Sequence, residues 1–133
     1  MSDSQCFCTI LRETTRRLTA IYDETLADVG VNVAQFNLLR RLERSGPLAI
    51  TELAGITDLD RTTISRNVKV IERKGLVALE AGGDRRESLV LLTKSGRKIL
   101  TRGLPLWDKA QNIVEAKLGR AGADNLRNTL RML

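Results

Sequence analysis

A chain of 133 residues with 42% hydrophobic side chains is predicted to form one domain around a buried core. Aromatic residues make up only 3%, so aliphatic packing must dominate that core. The polar start of the sequence argues against a signal peptide, and no apolar run approaches the roughly 20 residues that cross a bilayer. We therefore expect a cytoplasmic protein with no membrane contact.

The net charge of +6 is concentrated in one part of the chain. Residues 61–102 hold 11 of the 22 Lys and Arg residues but only four of the 16 acidic ones. A solvated surface normally mixes both signs, so this concentration points to an anionic partner. Basic residues that only keep a protein in solution would explain the total charge but not its clustering.

The first half of the chain is predicted to be helical. Apolar residues at helical spacing indicate a first helix of about six turns that ends at Gly30. Asn32 and Gln35 resemble a capping box that opens a second helix, from Val33 to Glu43. A short third helix is expected near residues 50–56.

A fourth helix is predicted after a turn at residues 57–59, with Asp60 as its N-cap and Gly75 as its stop. At 100° per residue its apolar back is narrow and consists of Ile64, Val68 and Ile71. Hydroxyl and cationic side chains occupy the opposite face and its flanks: Thr62, Thr63, Ser65, Arg66, Lys69 and Arg73. Such a face suits the DNA major groove, because arginine bonds guanine edges and hydroxyls reach base edges or phosphates. An ordinary solvated helix face is the alternative.

Two short strands are predicted next, Leu76–Glu80 and Ser88–Leu92, joined by a loop that contains Asp84, Arg85 and Arg86. A protruding arginine suits the narrow minor groove beside a helix that is docked in the major groove. Asp84 is expected to pair with and orient a nearby arginine. A turn with solvated arginines is the alternative reading of this loop.

After the strands, Thr93 is predicted to cap a long helix that Pro105 kinks or splits. Gly119 and Gly122 mark a break before a last amphipathic stretch. The first and last helices carry more apolar surface than a small body can cover, so we expect them to bury it against a second copy of the chain. The alternative is that these helices only wrap their own core.

These residues resemble the MarR-type winged helix-turn-helix transcriptional regulators. The matching segments are Glu52–Ala54, Leu59–Arg66, Ile71–Val77, Asp84–Arg86 and Leu92–Thr93 with Gly96. The resemblance implies a single, mainly α domain with a small antiparallel β wing over residues 1–133. It also implies an obligate homodimer, with dimerisation helices at about 6–30 and 94–133 and a winged helix-turn-helix region at about 33–93.

The resemblance further assigns major-groove contacts to residues 62–66 and a minor-groove contact to Arg86. Such proteins usually repress transcription and release DNA when a small molecule or an oxidant acts on them. It suggests a small aromatic ligand, in an apolar pocket between the dimer helices and the winged region.

Cys6 and Cys8 are a second candidate sensor. Cys6 matches the reactive position of the branch of the family that senses organic hydroperoxides, but Val33 and Phe36 stand where that branch has orienting tyrosines. Two residues apart on a helix, the thiols would point about 200° from each other and could not bond to one another without unwinding. A disulfide between two subunits is possible, because this segment is expected to lie in the dimer region. Small apolar fillers of a helix interface are the alternative.

The leading hypothesis is a dimeric repressor that binds a pseudo-palindromic operator in double-stranded DNA. A thiol-based sensor using Cys6, a protein-interaction module and a non-specific architectural DNA binder are the alternatives. The chain contains no histidine, no glycine-rich phosphate loop and no nucleophile motif. We therefore expect no enzyme activity, no cofactor and no metal site.

Overall fold

The computed structural model describes residues 5–57, 60–81 and 88–133. In chain order the elements are α1 (Phe7–Leu26), α2 (Val33–Ser45), β1 (Leu48–Ala49), α3 (Ile50–Thr57), α4 (Arg61–Arg73), β2 (Val77–Ala81), β3 (Ser88–Leu92), α5 (Lys94–Leu118) and α6 (Arg120–Arg131). A short 3₁₀ turn, Ala27–Val29, follows α1. The prediction of a mainly α fold with a small antiparallel sheet is confirmed.

The sheet has three strands in the order β1-β3-β2, and both neighbouring pairs are antiparallel. In the hairpin, Val77 is opposite Leu92 and Ala81 is opposite Ser88, so the connecting loop begins after Ala81. β1 was not predicted, because a strand of two residues is too short to show a period of two. The extra strand pairs with β3 and ties the hairpin to the start of α3.

The core is formed by α2, α3, α4 and the inner face of the sheet. Its fully buried side chains include Phe36, Leu39, Leu53, Ile64 and Val90. In α4 the buried residues are Ile64, Val68 and Ile71, which confirms the predicted apolar back. The α4 helix is therefore held by one face only, and its opposite face is left open.

The helix ends follow the predicted local signals. Asn32 and Gln35 form the reciprocal capping box of α2, and Asp60 caps α4 through the Thr63 backbone N–H. Gly75 ends α4 with a φ of 77°, a left-handed conformation that favours glycine. The predicted turn after Thr57 lies partly outside the described residues, since positions 58 and 59 are not covered.

The start of α5 is joined to the end of α4. The Thr93 hydroxyl donates to the Gly75 carbonyl at 2.7 Å and accepts from the Gly96 N–H at 3.0 Å, while the Thr93 N–H donates to the Leu76 carbonyl at 3.1 Å. A Cβ added at Gly96 would lie 2.2 Å from the Leu76 carbonyl oxygen, so α5 packs on this turn at a distance that only glycine permits. One threonine thus fixes the position of α4 relative to α5.

The structure bears on two predictions about the last helices. Of the two predicted effects of Pro105, the split is wrong, because α5 continues from Lys94 to Leu118, and the kink stays a prediction. Buried residues on both sides of the proline, Leu100 and Ala110, anchor the helix and offset the hydrogen bond that proline cannot make. Gly122 lies inside α6 rather than in the break, which Gly119 makes alone with its φ of 75°.

Candidate nucleic-acid interface

The open face of α4 carries the side chains that were predicted to meet DNA. Thr62, Arg66, Lys69 and Arg73 are exposed, whereas Thr63 and Ser65 are half-buried on the flanks. In the described part of the chain the only salt bridges are those of Arg127 with Glu115 and Asp124. Arg66, Lys69 and Arg73 on this face therefore have no carboxylate partner among these residues.

The first turn of α4 is organised by Asp60. Its carboxylate accepts from the Thr63 N–H at 2.8 Å and from the Thr63 hydroxyl at 2.9 Å. The Thr63 N–H, followed by its hydroxyl, lowers the pKa of Asp60, because both hydrogen bonds favour the charged form. Because the Thr63 hydroxyl donates its proton to Asp60, it can only accept a further hydrogen bond. The Thr62 hydroxyl is therefore freer to bond a partner than the Thr63 hydroxyl.

The predicted wing residues Asp84, Arg85 and Arg86 lie outside the described residues. The structure describes the two strands that lead into and out of this loop, from Val77 to Ala81 and from Ser88 to Leu92. The roles of the three residues therefore stay predictions, as do the DNA contacts of the side chains on α4.

A cavity of about 300 Å³ lies where α1, α2 and α5 meet. Leu18, Tyr22, Val33 and Trp107 contribute its apolar and aromatic walls. The Tyr22 hydroxyl donates to the Gln111 side-chain carbonyl, which joins α1 to α5 across the cavity. Burial raises the pKa of Tyr22, so this hydroxyl stays a neutral donor at physiological pH.

The two cysteines do not have the geometry predicted for them. Cys6 is the N-cap of α1, with an extended backbone at ψ 120°, and only Cys8 is inside the helix. The assumed angle of about 200° between the thiols is therefore wrong, because it required both residues to be helical. Both thiols are exposed, so the alternative that they fill a buried interface does not describe the single chain.

The environment of Cys6 favours its thiolate. The Cys6 side chain makes no capping hydrogen bond at the start of α1. Even so, the Thr9 N–H, then the Thr9 hydroxyl and the Cys8 N–H, lower the pKa of Cys6. The N-terminal amides of a helix stabilise negative charge, which is the physical reason for this direction.

Large apolar side chains remain uncovered on the first and last helices. Phe7 is 82% exposed. The others on these helices are Ile10, Leu11, Leu104, Leu118, Leu126 and Leu130. In α1 only Leu26 is buried, although the helix has 20 residues. A surface of this kind is typical of an interface between subunits.

A group of arginines on α2 was not among the predicted functional residues. Arg40, Arg41 and Arg44 line a cavity between α2 and the end of α3, and the Arg40 guanidinium lies 4.4 Å from the centre of the Trp107 ring. The spacing of three and four residues could have indicated a shared cationic surface. The contacts of these arginines with α3 and Trp107 depend on tertiary packing, which their spacing in the sequence does not predict.

Two further observations concern metal binding and membrane crossing by the described residues. Within the ranges 5–57, 60–81 and 88–133, no cluster of three or more metal-binding side chains occurs. Across the same ranges, none of the helices combines the length and the apolar character that a membrane span requires.

The comparisons with known proteins agree with this arrangement. A model of the MarR family matches residues 29–87. The HTH-type transcriptional repressor NicR of Pseudomonas putida is 34% identical over 115 residues, which cover 86% of this chain and 71% of NicR.

Solved structures show the same fold. The M. tuberculosis transcriptional regulator MosR in complex with DNA is 34% identical, with a TM-score of 0.81 over 96% of this chain and 98% of that one. A probable transcriptional regulator from Pseudomonas aeruginosa is 28% identical, with a TM-score of 0.88 over 98% of both chains. These proteins are regulators, in agreement with the prediction that the chain is not an enzyme. The chain belongs to the MarR family of transcriptional regulators.

Proposed function

We propose that this regulator is a dimeric, sequence-specific repressor of a pseudo-palindromic operator and acts in the cytoplasm. The observation that carries the proposal is α4, whose one face is buried while the other presents hydroxyls and cations with no carboxylate partner among the described residues. NicR is named a repressor and MosR is solved in complex with DNA, and both support the proposal of a DNA-binding repressor.

In this proposal α4 enters the major groove. Arg66 and Arg73 bond base edges, Thr62 and Ser65 reach bases or phosphates, and Lys69 contacts a phosphate. Thr63 has a smaller part, since its hydroxyl proton is donated to Asp60.

The loop after β2 reaches the adjacent minor groove in the same proposal. Arg86 enters that groove, Arg85 contacts the backbone beside it, and Asp84 orients an arginine. The basis for these three roles is the sequence and its resemblance to the family.

A homodimer follows from the apolar surface of α1, α5 and α6. Phe7, Leu126 and Leu130 are exposed on α1 and α6, each of which has a single buried residue. Burying such side chains against a second copy stabilises the pair by about 25 cal/mol for each Å² removed from water. A twofold dimer also sets two α4 helices about 34–36 Å apart, as two half-sites on one face of DNA require.

We assign the release of DNA to a small aromatic ligand in the cavity between α1, α2 and α5. Tyr22 and Trp107 offer ring stacking, and Gln111 and Tyr22 offer hydrogen bonds. A ligand of this class would press α2 away from α1 and α5. Because α2 packs against α4, this movement would change the separation of the two α4 helices and weaken operator binding.

An oxidant acting on Cys6 is the second candidate signal, supported by the exposure and the lowered pKa of that thiol. The Cys6 thiolate would attack a peroxide oxygen, giving a sulfenic acid and releasing the alcohol or water. The Cys8 thiol would then attack that sulfur, forming a disulfide and releasing water. Cys6 lies outside the helix and Cys8 lies in its first turn.

Selection of bound DNA from a random pool tests the function. We expect a recovered site with twofold symmetry, bound by the full-length reduced protein with a specificity of at least about a thousandfold over random DNA. A steep salt dependence without sequence preference would instead indicate an architectural DNA binder. Absence of DNA binding would favour a protein-interaction module.

Repeating the selection after peroxide treatment tests the thiol signal. We expect the parent protein to lose operator affinity and Cys6→Ser to keep it. Equal affinity of the parent protein before and after oxidation would contradict the redox candidate and leave the ligand cavity as the sensor.

A further inference from the structure

The cavity between α2 and the end of α3 has a volume of about 420 Å³, within the range of small-molecule sites. Three of its lining side chains are arginines, Arg40, Arg41 and Arg44. Leu38 and Ile56 provide an apolar wall, and Ile56 is 44% exposed toward it. The cavity therefore combines concentrated positive charge with an accessible apolar surface.

The arginines of this cavity have no carboxylate partner among the described residues. None of the described residues that line it is acidic, and none of the three arginines forms a salt bridge within the described part of the chain. Glu43 lies beside Arg40 and Arg44 in a neighbouring cavity without an ion pair to either. Arg40 and Arg44 are four residues apart on one helix, and Arg41 and Arg44 are three apart, so their like charges repel one another. An anion bound among them would relieve this repulsion and accept hydrogen bonds from the planar guanidinium groups.

The same cavity is linked to the aromatic cavity of α1, α2 and α5. Asn37 lines both. The Arg40 guanidinium stacks on Trp107 at 4.4 Å, and Trp107 is a wall of the aromatic cavity. An anion that draws Arg40 away from the ring would therefore alter the environment of Trp107.

We propose that this cavity is a second effector site, which binds a small amphipathic anion. The ligand class is a carboxylate or phosphate attached to a short apolar body. The arginines would hold the charged group and Leu38 and Ile56 the apolar part. Because Ile56 and Thr57 close α3 immediately before α4, occupancy of this site would act on the position of the helix-turn-helix.

Titration of the full-length protein with hexanoate at constant ionic strength tests the site. Isothermal calorimetry should show saturable binding of hexanoate. Binding of 1-hexanol, which lacks the charged group, and of inorganic phosphate, which lacks the apolar chain, should each be at least about tenfold weaker. The fluorescence of Trp107, the only tryptophan in the chain, should change along the same binding curve.

Three variants locate the binding. Arg41→Gln and Arg44→Gln should each weaken hexanoate about tenfold or more, because each removes a charge-assisted hydrogen bond. Arg102→Gln is the matched control, since Arg102 is an exposed arginine of α5 outside the cavity. It should bind hexanoate like the parent protein. All three positions are on helix surfaces, and thermal unfolding verifies that each variant folds.

The absence of saturable hexanoate binding would overturn the proposal, as would equal binding by the parent protein and both cavity variants. Phosphate binding as strong as that of hexanoate would show that the apolar wall plays no part. If Arg41→Gln and Arg44→Gln instead each reduce the salt slope of DNA binding by about one, the arginines contact DNA phosphates and the assignment is wrong. The hexanoate titration contains no DNA, so its failure leaves the proposed operator binding intact.

Discussion

Arg66 and Lys69 are both exposed on α4, yet their chemistry differs. The planar guanidinium of Arg66 can bond two acceptors of a guanine, whereas the ammonium of Lys69 acts as a point charge toward phosphate. We expect Arg66→Ala to cost about 1–3 kcal/mol on the preferred site and to relax its sequence preference.

Lys69→Ala should weaken all DNA sequences alike and lower the salt slope by about one. Fluorescence anisotropy on the selected operator and on a scrambled duplex, over a range of salt concentrations, measures both effects. Unchanged affinity in both variants would contradict the placement of α4 in the major groove.

Asp60 gives the start of α4 a pH dependence. The Thr63 N–H and hydroxyl lower its pKa from the usual 3.8, so the folded-state value lies below the unfolded-state value. The stabilisation is therefore complete above the unfolded-state pKa and is lost as the pH falls through the lower, folded-state pKa.

We expect Asp60→Ala to melt below the parent protein at neutral pH and to approach it in acid. Asp60→Asn is the matched control, since asparagine caps a helix without titrating in this range. Thermal unfolding followed by circular dichroism at neutral pH and at about pH 3 measures the gap. A gap that stays constant across this range would show that the carboxylate cap is not the cause.

At the scale of elements, the contact between α5 and the turn after α4 depends on Gly96. Its missing side chain lets the helix approach the Leu76 carbonyl, and an added Cβ would lie only 2.2 Å from that oxygen. The Leu76 carbonyl also accepts from the Thr93 N–H, which limits how far it can move. We expect Gly96→Ala to destabilise the protein by about 1–3 kcal/mol.

Gly55→Ala is the matched control, because Gly55 lies in α3 with no atom within 4 Å of an added Cβ. There alanine should stabilise the fold by about 0.4–1 kcal/mol, since it restricts the unfolded chain. Urea unfolding at one protein concentration compares the two variants. Equal midpoints for both would refute the close approach at Gly96.

At the scale of the molecule, the apolar surface of α6 predicts how the chain assembles. Leu126 and Leu130 are four residues apart on one helix and are 39% and 41% exposed. We expect Leu126→Glu and Leu130→Glu to dissociate the dimer, because each places a charge in a desolvated interface. Sedimentation equilibrium should give the mass of one chain for these variants and of two for the parent protein.

Leu79→Glu is the control for this experiment. Leu79 has a similar exposure of 37%, but it lies on β2, away from the proposed interface. Its mass should remain that of the parent protein. A dimer that persists in both α6 variants would mean that the exposed leucines have another partner.

Most of α4 could be predicted from the sequence alone. The buried residues Ile64, Val68 and Ile71 recur at helical spacing, and the cap at Asp60 is only three residues from its partner Thr63. Such signals are local, so they act on the chain before it has a tertiary structure. The open cationic face follows from the same period.

Only the tertiary structure decided the remaining features. The continuity of α5 through Pro105 depends on the packing of α5 on both sides of the proline. Cys6 is the N-cap of α1, although the helical spacing of the sequence placed it inside the helix. The stacking of Arg40 on Trp107 joins residues that are far apart in the chain, as does the bond of Thr93 to Gly75. A sequence pattern reports which face of an element is apolar, whereas the element that covers that face is chosen by long-range packing. For that reason the sequence determined α4 and its two faces, whereas the fold determined the cavity between α1, α2 and α5 and the cavity between α2 and α3.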